Sequence, residues 1–420
     1  MWYQKALQWH HLFIPYSNKP ILLMSLKKKI ILFSLLLPSI IINFFTLTIL
    51  DHDNNLSLFS STIVIVFNLV NLTFAVIYFR YNFRIFFSLL AYCMFLLIIS
   101  DLILEKVLNQ NSIIKDDKIL GWTLKPNKKV KINQRTMKVK SYVVNWETSN
   151  EEGFREFGDL RSDLKKILVV GDSYTGGPFS SNEKMYYNVI KNKIEKNKIF
   201  LDWFVLGSPG YGTTQQIILL ERYWEKIKPD YVLYQFCVND FFDNSIKISK
   251  FSSSQNQYYR RPYFQDGKIV KVDTVYASIY RFLYRYSYTL KKLDAIYSYQ
   301  KFKKHGRFTK NIPESWIQDS IKETGFMFKK VRNIIGEDTL LFSTNCVDER
   351  NTTLSPRWVQ IIKSIKGHPI DSPTEKLTEL KKRNIDVMNI DGGHLNDEGN
   401  KIYGEIIADE MIKILKYEKN

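Results

Sequence analysis

The sequence predicts an α/β protein with a mostly parallel sheet, preceded by three membrane-spanning helices. Two observations support this prediction. Beyond residue 165, short apolar segments alternate with helical patterns, as is typical of βαβ units. In the first hundred residues, three apolar runs, 30–50, 58–79 and 85–104, each have about the 20 residues that a helix needs to cross a bilayer.

The strands of the predicted sheet are buried-type apolar segments. They are 167–170, 203–206, 231–236, 339–343 and, as a weaker fifth candidate, 385–388. Helical periodicity predicts a helix over 213–226, which ends before Pro229, and a closing helix over 399–417. In such a sheet the reactive groups gather at the carboxyl ends of the strands.

The charges beside the apolar runs predict the orientation of the chain in the membrane. Lys27, Lys28 and Lys29 precede the first run, and Arg80 and Arg84 join the second to the third. Because positive flanks stay in the cytoplasm, we expect the N-terminus inside and everything after the third run outside the cytoplasmic membrane. The chain is expected to consist of a cytoplasmic segment (1–29), three membrane helices (30–104), an extracytoplasmic lead-in (105–164) and a catalytic-type domain (165–420).

The chain is strongly basic, with a formal net charge of +18, and the excess is concentrated in one segment. Residues 245–310 contain 15 Lys and Arg against three Asp, a net of +12. This segment suits either a surface that faces a negatively charged membrane or a site for an anionic substrate. Nucleic acid is excluded as a partner because the domain is expected outside the cytoplasm.

Five residues at predicted strand ends form a candidate acyl-transfer site. Ser173 follows the first strand and opens the next helix, so that its N–H and the helix dipole face a developing oxyanion. Gly210 and Asn239 follow the second and third strands and are further oxyanion donors, although Gly207 and Gly212 compete with Gly210. His394 is the candidate base, and Asp391, three residues earlier, orients its ring.

Each of these features also has a plain structural interpretation. Gly-Asp-Ser alone is a common turn, an Asn-Asp pair often ends a strand, and Asp-x-x-His is often a surface pair. Their joint occurrence in order favours catalysis. No His, Cys, Asp or Glu cluster has metal-ligand spacing, so neither a metal nor another cofactor is expected. The three cysteines are too few for a disulfide framework, are expected to be small buried hydrophobes, and leave the compartment open.

At four blocks the sequence resembles the SGNH hydrolase superfamily, also called GDSL esterases/lipases. The blocks are Gly171-Asp172-Ser173-Tyr174, Gly210, Asn239-Asp240 and Asp391-Gly392-Gly393-His394-Leu395-Asn396, and the resemblance covers about 167 to the C-terminus. It implies a three-layer α/β/α fold with Ser173 as nucleophile, His394 as base, Asp391 as its partner, and Ser173, Gly210 and Asn239 as oxyanion donors. The sequence departs from the pattern at Tyr174, where Leu is usual, and at Cys237, where Gly is common.

Two flanking segments extend the resemblance. Residues 120–127 and 150–155 are similar to the lead-in of bacterial membrane-linked SGNH proteins, which implies a small β extension. Arg155 in it either reaches an anionic group or forms an ordinary surface salt bridge. The insertion at 245–310 is either a cap over the site or a membrane-docking surface, with Arg260, Arg261 and Tyr263 as candidate substrate-binding residues.

Tyrosines recur every four residues in the insertion, at Tyr276, Tyr280, Tyr284 and Tyr288. On a helix they form one aromatic stripe, which is more often core packing than a surface for sugar rings or lipid. The sequence as a whole predicts a membrane-anchored serine esterase or O-acyltransferase. Its substrates would be acyl esters, acetyl above all, of extracytoplasmic glycans or lipids. The alternative is a non-catalytic envelope module that binds glycan in the same cleft.

Overall fold

The structure is a computed structural model that describes residues 112–417, apart from 266, 347–353 and 371–372, and scattered residues between 69 and 105. The chain divides into two compact units, residues 1–103 and 104–420. The predicted cytoplasmic segment and most of the three predicted spans lie outside the described residues. Within the part that is described, no helix combines the length and the apolar character needed to cross a membrane.

The predicted lead-in begins with two antiparallel hairpins. β1 (Ile114–Asp117) pairs with β2 (Gly121–Leu124), and β3 (Lys129–Arg135) pairs with β4 (Ser141–Glu147). Trp146, Val144 and Leu124 form a small buried cluster of their own between these hairpins. Both hairpins belong to the same compact unit as the sheet.

A six-stranded sheet forms the centre of the second unit. Its strands are β5 (Glu156–Phe157), β6 (Lys166–Gly171), β7 (Asp202–Gly207), β8 (Tyr231–Phe236), β11 (Leu340–Asn345) and β12 (His368–Ile370), and the insertion carries the short hairpin β9 (Tyr263–Gln265) and β10 (Lys268–Val270). The order across the sheet is β12-β11-β8-β6-β7-β5. All neighbours are parallel except β5, which is antiparallel to β7.

The helices of the second unit are α1 (Ser173–Gly176), α2 (Tyr186–Lys196), α3 (Thr213–Ile227), α4 (Asn239–Asn244), α5 (Ile246–Ser249), α6 (Gln255–Arg260), α7 (Val275–Tyr286), α8 (Tyr288–His305), α9 (Glu314–Ile335), α10 (Ser355–Ser364), α11 (Thr374–Lys382) and α12 (Asp397–Tyr417). The helices predicted over 213–226 and 399–417 correspond to α3 and α12. Both are amphipathic, and their apolar residues face the sheet.

Alternate residues of each strand enter different cores, because successive side chains of a strand point to opposite faces. In β6, Leu168 and Val170 pack with α3, α9 and α10 on one face of the sheet. Ile167 and Val169 pack with α2, α11 and α12 on the other. The result is a three-layer α/β/α domain, which confirms the predicted fold class of this part of the chain.

The weaker fifth strand predicted at 385–388 is not part of the sheet. Val387 and Met388 are buried as their apolar character suggests, but the backbone here turns, and Met388 makes only an isolated bridge with Leu395. The sheet is completed instead by β12, a short edge strand that contains Pro369. The segment 385–396 forms the turn that carries the candidate base.

The predicted aromatic stripe of the insertion is interrupted, because the helix breaks at Ser287, whose hydroxyl caps α8. Tyr280 is buried and its hydroxyl donates to Asp294, whereas Tyr276 is exposed. The opposite side of α7 presents a row of large apolar side chains to solvent, each 46–78% exposed: Val275, Ile279, Phe282, Leu283 and Tyr286. The stripe is thus core only in part, and α7 has an apolar outer face.

The cysteines do not all behave as predicted. Cys237, just after β8, and Cys346, just after β11, form a disulfide with Cα atoms 4.9 Å apart. Both residues are buried among apolar side chains as predicted, but they are bonded to each other, which the sequence analysis did not predict. The pairing is possible because β8 and β11 are neighbours in the sheet and end side by side. Cys93 lies outside the described residues.

Candidate active site

Three residues from two distant parts of the sequence form one hydrogen-bonded chain at the carboxyl edge of the sheet. Ser173 Oγ lies 2.8 Å from His394 Nε2, and His394 Nδ1 lies 2.5 Å from Asp391 Oδ2. Ser173 follows β6, and the other two belong to the turn before α12. The structure thus brings together the predicted nucleophile, base and orienting carboxylate in the geometry that nucleophilic catalysis requires.

The turn that carries His394 is built around Asp391. Its second carboxylate oxygen, Oδ1, accepts hydrogen bonds from the backbone N–H of Gly393 at 2.9 Å and of His394 at 3.0 Å. Partial burial raises the pKa of Asp391, but these hydrogen bonds and the adjacent imidazole outweigh it and hold the pKa below its usual value. The carboxylate therefore stays ionised and fixes the tautomer in which Nδ1 carries the proton and Nε2 accepts.

Ser173 is the first residue of a helix of one turn only. The expected contribution of a long helix dipole is therefore small, and the backbone N–H group itself is the donor that this position offers. The helix is capped by Asp172, whose carboxylate accepts from the Tyr174 N–H at 2.9 Å. A side chain on Gly176 would meet the Gly207 carbonyl oxygen at 2.1 Å, so glycine allows this turn to pack against the end of β7.

Gly210 lies in the loop after β7, at a left-handed φ of 76° that favours glycine. Its carbonyl accepts from Arg261 Nη2 at 2.5 Å, and the neighbouring Pro209 carbonyl accepts from the Trp122 indole at 2.8 Å. These bonds fix the loop from two sides. Gly207, a competing candidate, is instead the last residue of β7, and Gly212 caps α3.

Asn239 is the first residue of α4. It follows Val238, and the residue before that is Cys237, which forms the disulfide with Cys346. Its Nδ2 donates to Asp243 Oδ2 at 3.1 Å, and Asp243 is in turn held by Arg261 at 2.7 Å and by Arg307 at 2.8 Å. An amide NH₂ has two hydrogens, so this contact orients Asn239 and leaves one donor for a substrate oxygen. Burial raises the pKa of Asp243, but the two guanidinium groups lower it by more than burial raises it. The net pKa lies below the usual value, so the carboxylate stays charged.

All five predicted residues line one cavity of about 750 Å³, which we call the catalytic cavity. The insertion supplies a wall of it, through Ser252, Ser253, Ser254, Gln257, Ser298, Tyr299, Phe302 and Arg307. The disulfide contributes to the lining as well, so the departure at Cys237 does alter the cavity. The insertion thus forms a wall of the cavity that contains the nucleophile.

Two aromatic residues that the sequence analysis did not select hold the base. The ring of Phe179 stacks on the His394 imidazole, with centroids 3.8 Å apart. The Tyr174 hydroxyl donates to the Gly393 carbonyl at 2.9 Å, which ties the helix after Ser173 to the turn of His394. The departure from Leu at Tyr174 was a visible signal for this tie, whereas nothing in the sequence marks Phe179.

The other predicted substrate-binding residues do not line the catalytic cavity. Arg155 is buried and its guanidinium donates to the Gly177 carbonyl and to Asn182, so neither of its proposed roles, an anion contact or a surface salt bridge, matches the structure. Tyr263 is fully buried and donates to the Tyr258 carbonyl at 3.1 Å. Arg261 acts indirectly, through Gly210 and Asp243, and Arg260 lies in a neighbouring cavity described below.

The described residues contain no group of three or more His, Cys, Asp and Glu side chains placed to hold a metal ion. The chemistry available from the described side chains is that of a serine hydroxyl, an imidazole and a carboxylate, together with N–H donors.

Comparisons with known proteins return likenesses to solved structures only. No family model matches the sequence, and no curated protein matches it. Three similar structures, each covering 60% of this chain, are a psychrotrophic esterase from Pseudoalteromonas sp. (11% identity, 99% of that chain, TM-score 0.36), a family 3 carbohydrate esterase from Clostridium thermocellum (12%, 99%, 0.32) and a lipase/acylhydrolase from Enterococcus faecalis (16%, 96%, 0.33).

Likenesses at this level do not carry an assignment of activity or substrate. The chain's own features are more specific. A mostly parallel sheet lies between two helical layers, and Ser173, Gly210, Asn239 and the Asp391–His394 turn meet at its carboxyl edge. This arrangement agrees with the fold and the site geometry that the resemblance of the four blocks to SGNH hydrolases implies.

Proposed function

We propose that this chain is a membrane-anchored serine esterase or O-acyltransferase that acts on acyl esters of extracytoplasmic glycans or lipids. The observation that carries the proposal is the continuous hydrogen-bonded chain Ser173–His394–Asp391, with separations of 2.8 and 2.5 Å. A serine hydroxyl is a weak nucleophile on its own, and this arrangement supplies the base that activates it.

The geometry supports a two-step acyl transfer. Ser173 Oγ attacks the ester carbonyl carbon while its proton passes to His394 Nε2, and the carbonyl oxygen becomes an oxyanion that the N–H groups of Ser173, Gly210 and Asn239 stabilise. The carbon–oxygen bond to the alcohol then breaks, and the alcohol leaves with the proton from His394. An acyl-Ser173 ester remains.

The second step reverses these proton movements. Water or a sugar hydroxyl enters and gives its proton to His394 Nε2 as its oxygen attacks the acyl carbon. The Ser173 Oγ–acyl bond breaks, and Ser173 Oγ regains a proton from His394. Asp391 stabilises the imidazolium in both steps without itself taking the proton. Water as acceptor gives an esterase, and a sugar hydroxyl gives an O-acyltransferase.

The lining of the catalytic cavity favours a glycan over a purely apolar ester. Its volume of about 750 Å³ accommodates a sugar unit together with a small acyl group. The wall from the insertion combines serine hydroxyls with the rings of Tyr299 and Phe302. Hydroxyl groups suit the hydrogen-bonding edge of a sugar, and aromatic rings suit its apolar face.

The Cys237–Cys346 disulfide supports the proposed location outside the cytoplasm. Disulfides persist in oxidising compartments and are rare where thiols are kept reduced. This agrees with the orientation inferred from Lys27, Lys28 and Lys29, which places the second unit on the extracytoplasmic side.

The test is labelling of the full chain, purified in neutral detergent, with a fluorophosphonate probe, followed by turnover of an aryl acetate. Wild type is expected to label and to turn over, and Ser173→Ala and His394→Ala are expected to lose both. Cys93→Ser, which leaves all five site residues in place, is the matched control.

The alternative, a non-catalytic module that binds glycan, predicts a different result. A folded wild-type protein that neither labels nor turns over substrate, yet binds acetylated oligosaccharide as tightly as its Ser173→Ala variant does, would support that alternative. The complete set of nucleophile, base, carboxylate and donors in one cavity favours catalysis, because a binding module has no need of a base aligned on a hydroxyl.

A further inference from the structure

A second cavity lies next to the catalytic cavity and shares a wall with it. We call it the side cavity. Its volume is about 570 Å³, and Pro209, Gly210 and Gln257 line both cavities. The dividing wall is therefore the same loop that carries the candidate oxyanion donor. A ligand in the side cavity would contact this loop.

Most of the charged residues that line the side cavity are positive. Among its described lining residues, five are cationic and two are acidic: Lys115, Lys125, Arg260, Lys291 and Lys292 against Glu105 and Asp116. The two acids pair with Lys291 at 2.5 Å and with Arg260. The lining keeps a net charge of +3. Such crowding of like charges in a concave site raises the local potential and favours an anion.

The charge of Lys125 reports this crowding. Partial burial lowers the pKa of Lys125, and the positive charges of Lys128 and Lys291 lower it further, against an opposing effect of Glu105. An anion bound beside Lys125 would remove part of that repulsion. The observation agrees with the charge count, which stands on the geometry of the cavity alone.

Aromatic rings and hydrogen bonds hold the cationic wall in place. The Arg260 guanidinium lies over Tyr284 at 4.5 Å and over Trp122 at 5.4 Å, and it donates to the Gly121 carbonyl at 2.9 Å. Trp122 in turn donates to the Pro209 carbonyl in the shared loop. Arg260 is thus a part of the wall, whereas Lys115 and Lys292 are exposed, with the Lys292 ammonium 5.5 Å from the Tyr288 ring centroid.

We propose that the side cavity binds an anionic group of the substrate, a carboxylate or phosphate carried by the glycan, while the acyl ester lies at Ser173. This inference rests on the proposed function and deepens it, because it makes the preferred substrate an acidic glycan. Lys115, Lys125 and Lys292 contact the anion, and the half-buried rings of Tyr284 and Tyr288 line the cavity beside the sugar that bears it.

The lining favours a sugar-borne anion over a lipid. Among the described residues that line the side cavity, only Ile114, Pro209 and Ala295 have aliphatic side chains. A lipid ester would need an apolar channel for its acyl chains beside the charged headgroup site, and this lining does not form one. A sugar ring with one negatively charged substituent matches both the net positive charge of the side cavity and the tyrosine rings in its lining.

The binding test uses the full-length Ser173→Ala variant in neutral detergent, so that no turnover interferes. Trigalacturonate, neutral xylotriose and inorganic phosphate are titrated by calorimetry. Trigalacturonate is expected to bind at least about 10-fold more tightly than xylotriose at about 50 mM salt, and the preference is expected to fall steeply by about 500 mM. Tight phosphate binding that displaces trigalacturonate would identify phosphate as the natural anion.

Charge variants locate the site. Lys115→Ala with Lys292→Ala is expected to weaken trigalacturonate binding roughly 10-fold, and to raise KM for acetylated oligogalacturonate to a similar extent. Turnover of a neutral aryl acetate is expected to stay unchanged, because neither lysine lines the catalytic cavity. The matched control is Lys268→Ala with Lys304→Ala, two exposed lysines of the insertion that line neither cavity.

The outcomes separate this inference from the proposed function. If neither trigalacturonate nor phosphate binds better than xylotriose, or if the control pair weakens binding as much as the test pair, the anion site is overturned even where aryl acetate is turned over. If wild type fails to label or to turn over substrate while the anion still binds through Lys115 and Lys292, the proposed catalysis fails and the anion site stands.

Discussion

The phenyl ring of Phe179 lies flat on the imidazole of His394, with centroids 3.8 Å apart and planes inclined by 12°. His394 must present Nε2 to Ser173 while its other nitrogen stays on Asp391. The stacked ring limits rotation of the imidazole about its bond to the backbone and covers one face of it from water. Phe179 is therefore a positioning residue for the base.

Phe179→Ala is expected to lower kcat for an aryl acetate roughly 10-fold and to leave KM nearly unchanged, since a mobile imidazole spends less time aligned on Ser173. The measurement is steady-state kinetics over a range of pH. Phe179→Tyr, which keeps a stacked ring, is expected to restore kcat. An equal loss in the Tyr and Ala variants would show that the stack itself does not matter.

Tyr174→Phe removes the hydroxyl that donates to the Gly393 carbonyl. The loss of one neutral hydrogen bond costs about 1 kcal/mol, and we expect it to appear as a several-fold lower kcat, because the His394 turn is no longer tied to the nucleophile's helix. Tyr263→Phe is the comparison, since its hydroxyl donates to the Tyr258 carbonyl in the insertion and not to the His394 turn. A kcat in Tyr174→Phe equal to that of wild type would contradict the tie.

Arg261 and Arg307 both bind Asp243 Oδ1, at 2.7 and 2.8 Å, but their side chains are 2% and 42% exposed. Arg261→Ala leaves a buried carboxylate short of its main partner and is expected to cost about 3–5 kcal/mol of unfolding free energy. The same change at Arg307 is expected to cost at most about 1 kcal/mol. Chemical denaturation of both variants decides this, and similar losses would contradict the difference in burial.

The Arg261–Asp243 ion pair makes the stability of the folded chain depend on pH, and the pKa shift of Asp243 gives the direction. The pKa of Asp243 is lowered in the folded chain, so its contribution to stability is present above the unfolded value near 3.8 and is lost as pH falls through the lower folded value. Arg261→Lys keeps a charge but not the fork that also reaches the Gly210 carbonyl. We expect it to preserve most of this acid stability while lowering kcat, which separates the two roles of Arg261.

Asp172 affects the pH dependence of stability in the opposite direction, because its pKa is raised in the folded chain. Burial raises its pKa to about 6, against the hydrogen bond from Tyr174 N–H and the charge of His394, which lower it. The folded chain therefore binds a proton more tightly than the unfolded chain does, and stability falls as pH rises from about 4 to about 6. Asp172→Asn, which still accepts from Tyr174, is expected to flatten this part of the stability profile. An unchanged profile would show that Asp172 is not the group responsible.

The disulfide spans 109 residues of sequence between Cys237 and Cys346. Closing so long a loop restricts the unfolded chain, and its removal in Cys237→Ser with Cys346→Ser is expected to cost roughly 3–5 kcal/mol. The unfolding midpoint in urea measures this. Cys93→Ser is the control and is expected to leave the midpoint unchanged; free thiols at Cys237 and Cys346 in the wild-type protein would refute the bond.

The sequence was sufficient to predict most of the sheet. The strands β6, β7, β8 and β11 are apolar runs at βαβ spacing, and the residues that follow three of them meet as predicted. The segment 385–388 was misassigned because burial of Val387 and Met388 produces the same apolar pattern in a turn as in a strand. The true edge strand, His368–Ile370, was not recognised because it has only three residues and one of them is Pro369.

What remained beyond prediction depends on which elements become neighbours. The Cys237–Cys346 bond requires the knowledge that β8 and β11 are adjacent, and the Phe179 stack requires the path of the loop after α1. Arg260 and Arg261 are consecutive and chemically alike. Arg260 lines the side cavity, whereas Arg261 is buried and donates to the Gly210 carbonyl. Composition alone does not separate them.

The outer face of α7 has a practical consequence for anyone who shortens this protein. A fragment that begins near residue 105 lacks the predicted spans but keeps Val275, Ile279, Phe282, Leu283 and Tyr286 in contact with water. Such a patch promotes self-association, so the fragment is expected to stay dependent on detergent during purification. Polar replacements at Ile279 and Leu283, which line neither the catalytic nor the side cavity, are the changes most suited to yield a crystallisable fragment with its chemistry intact.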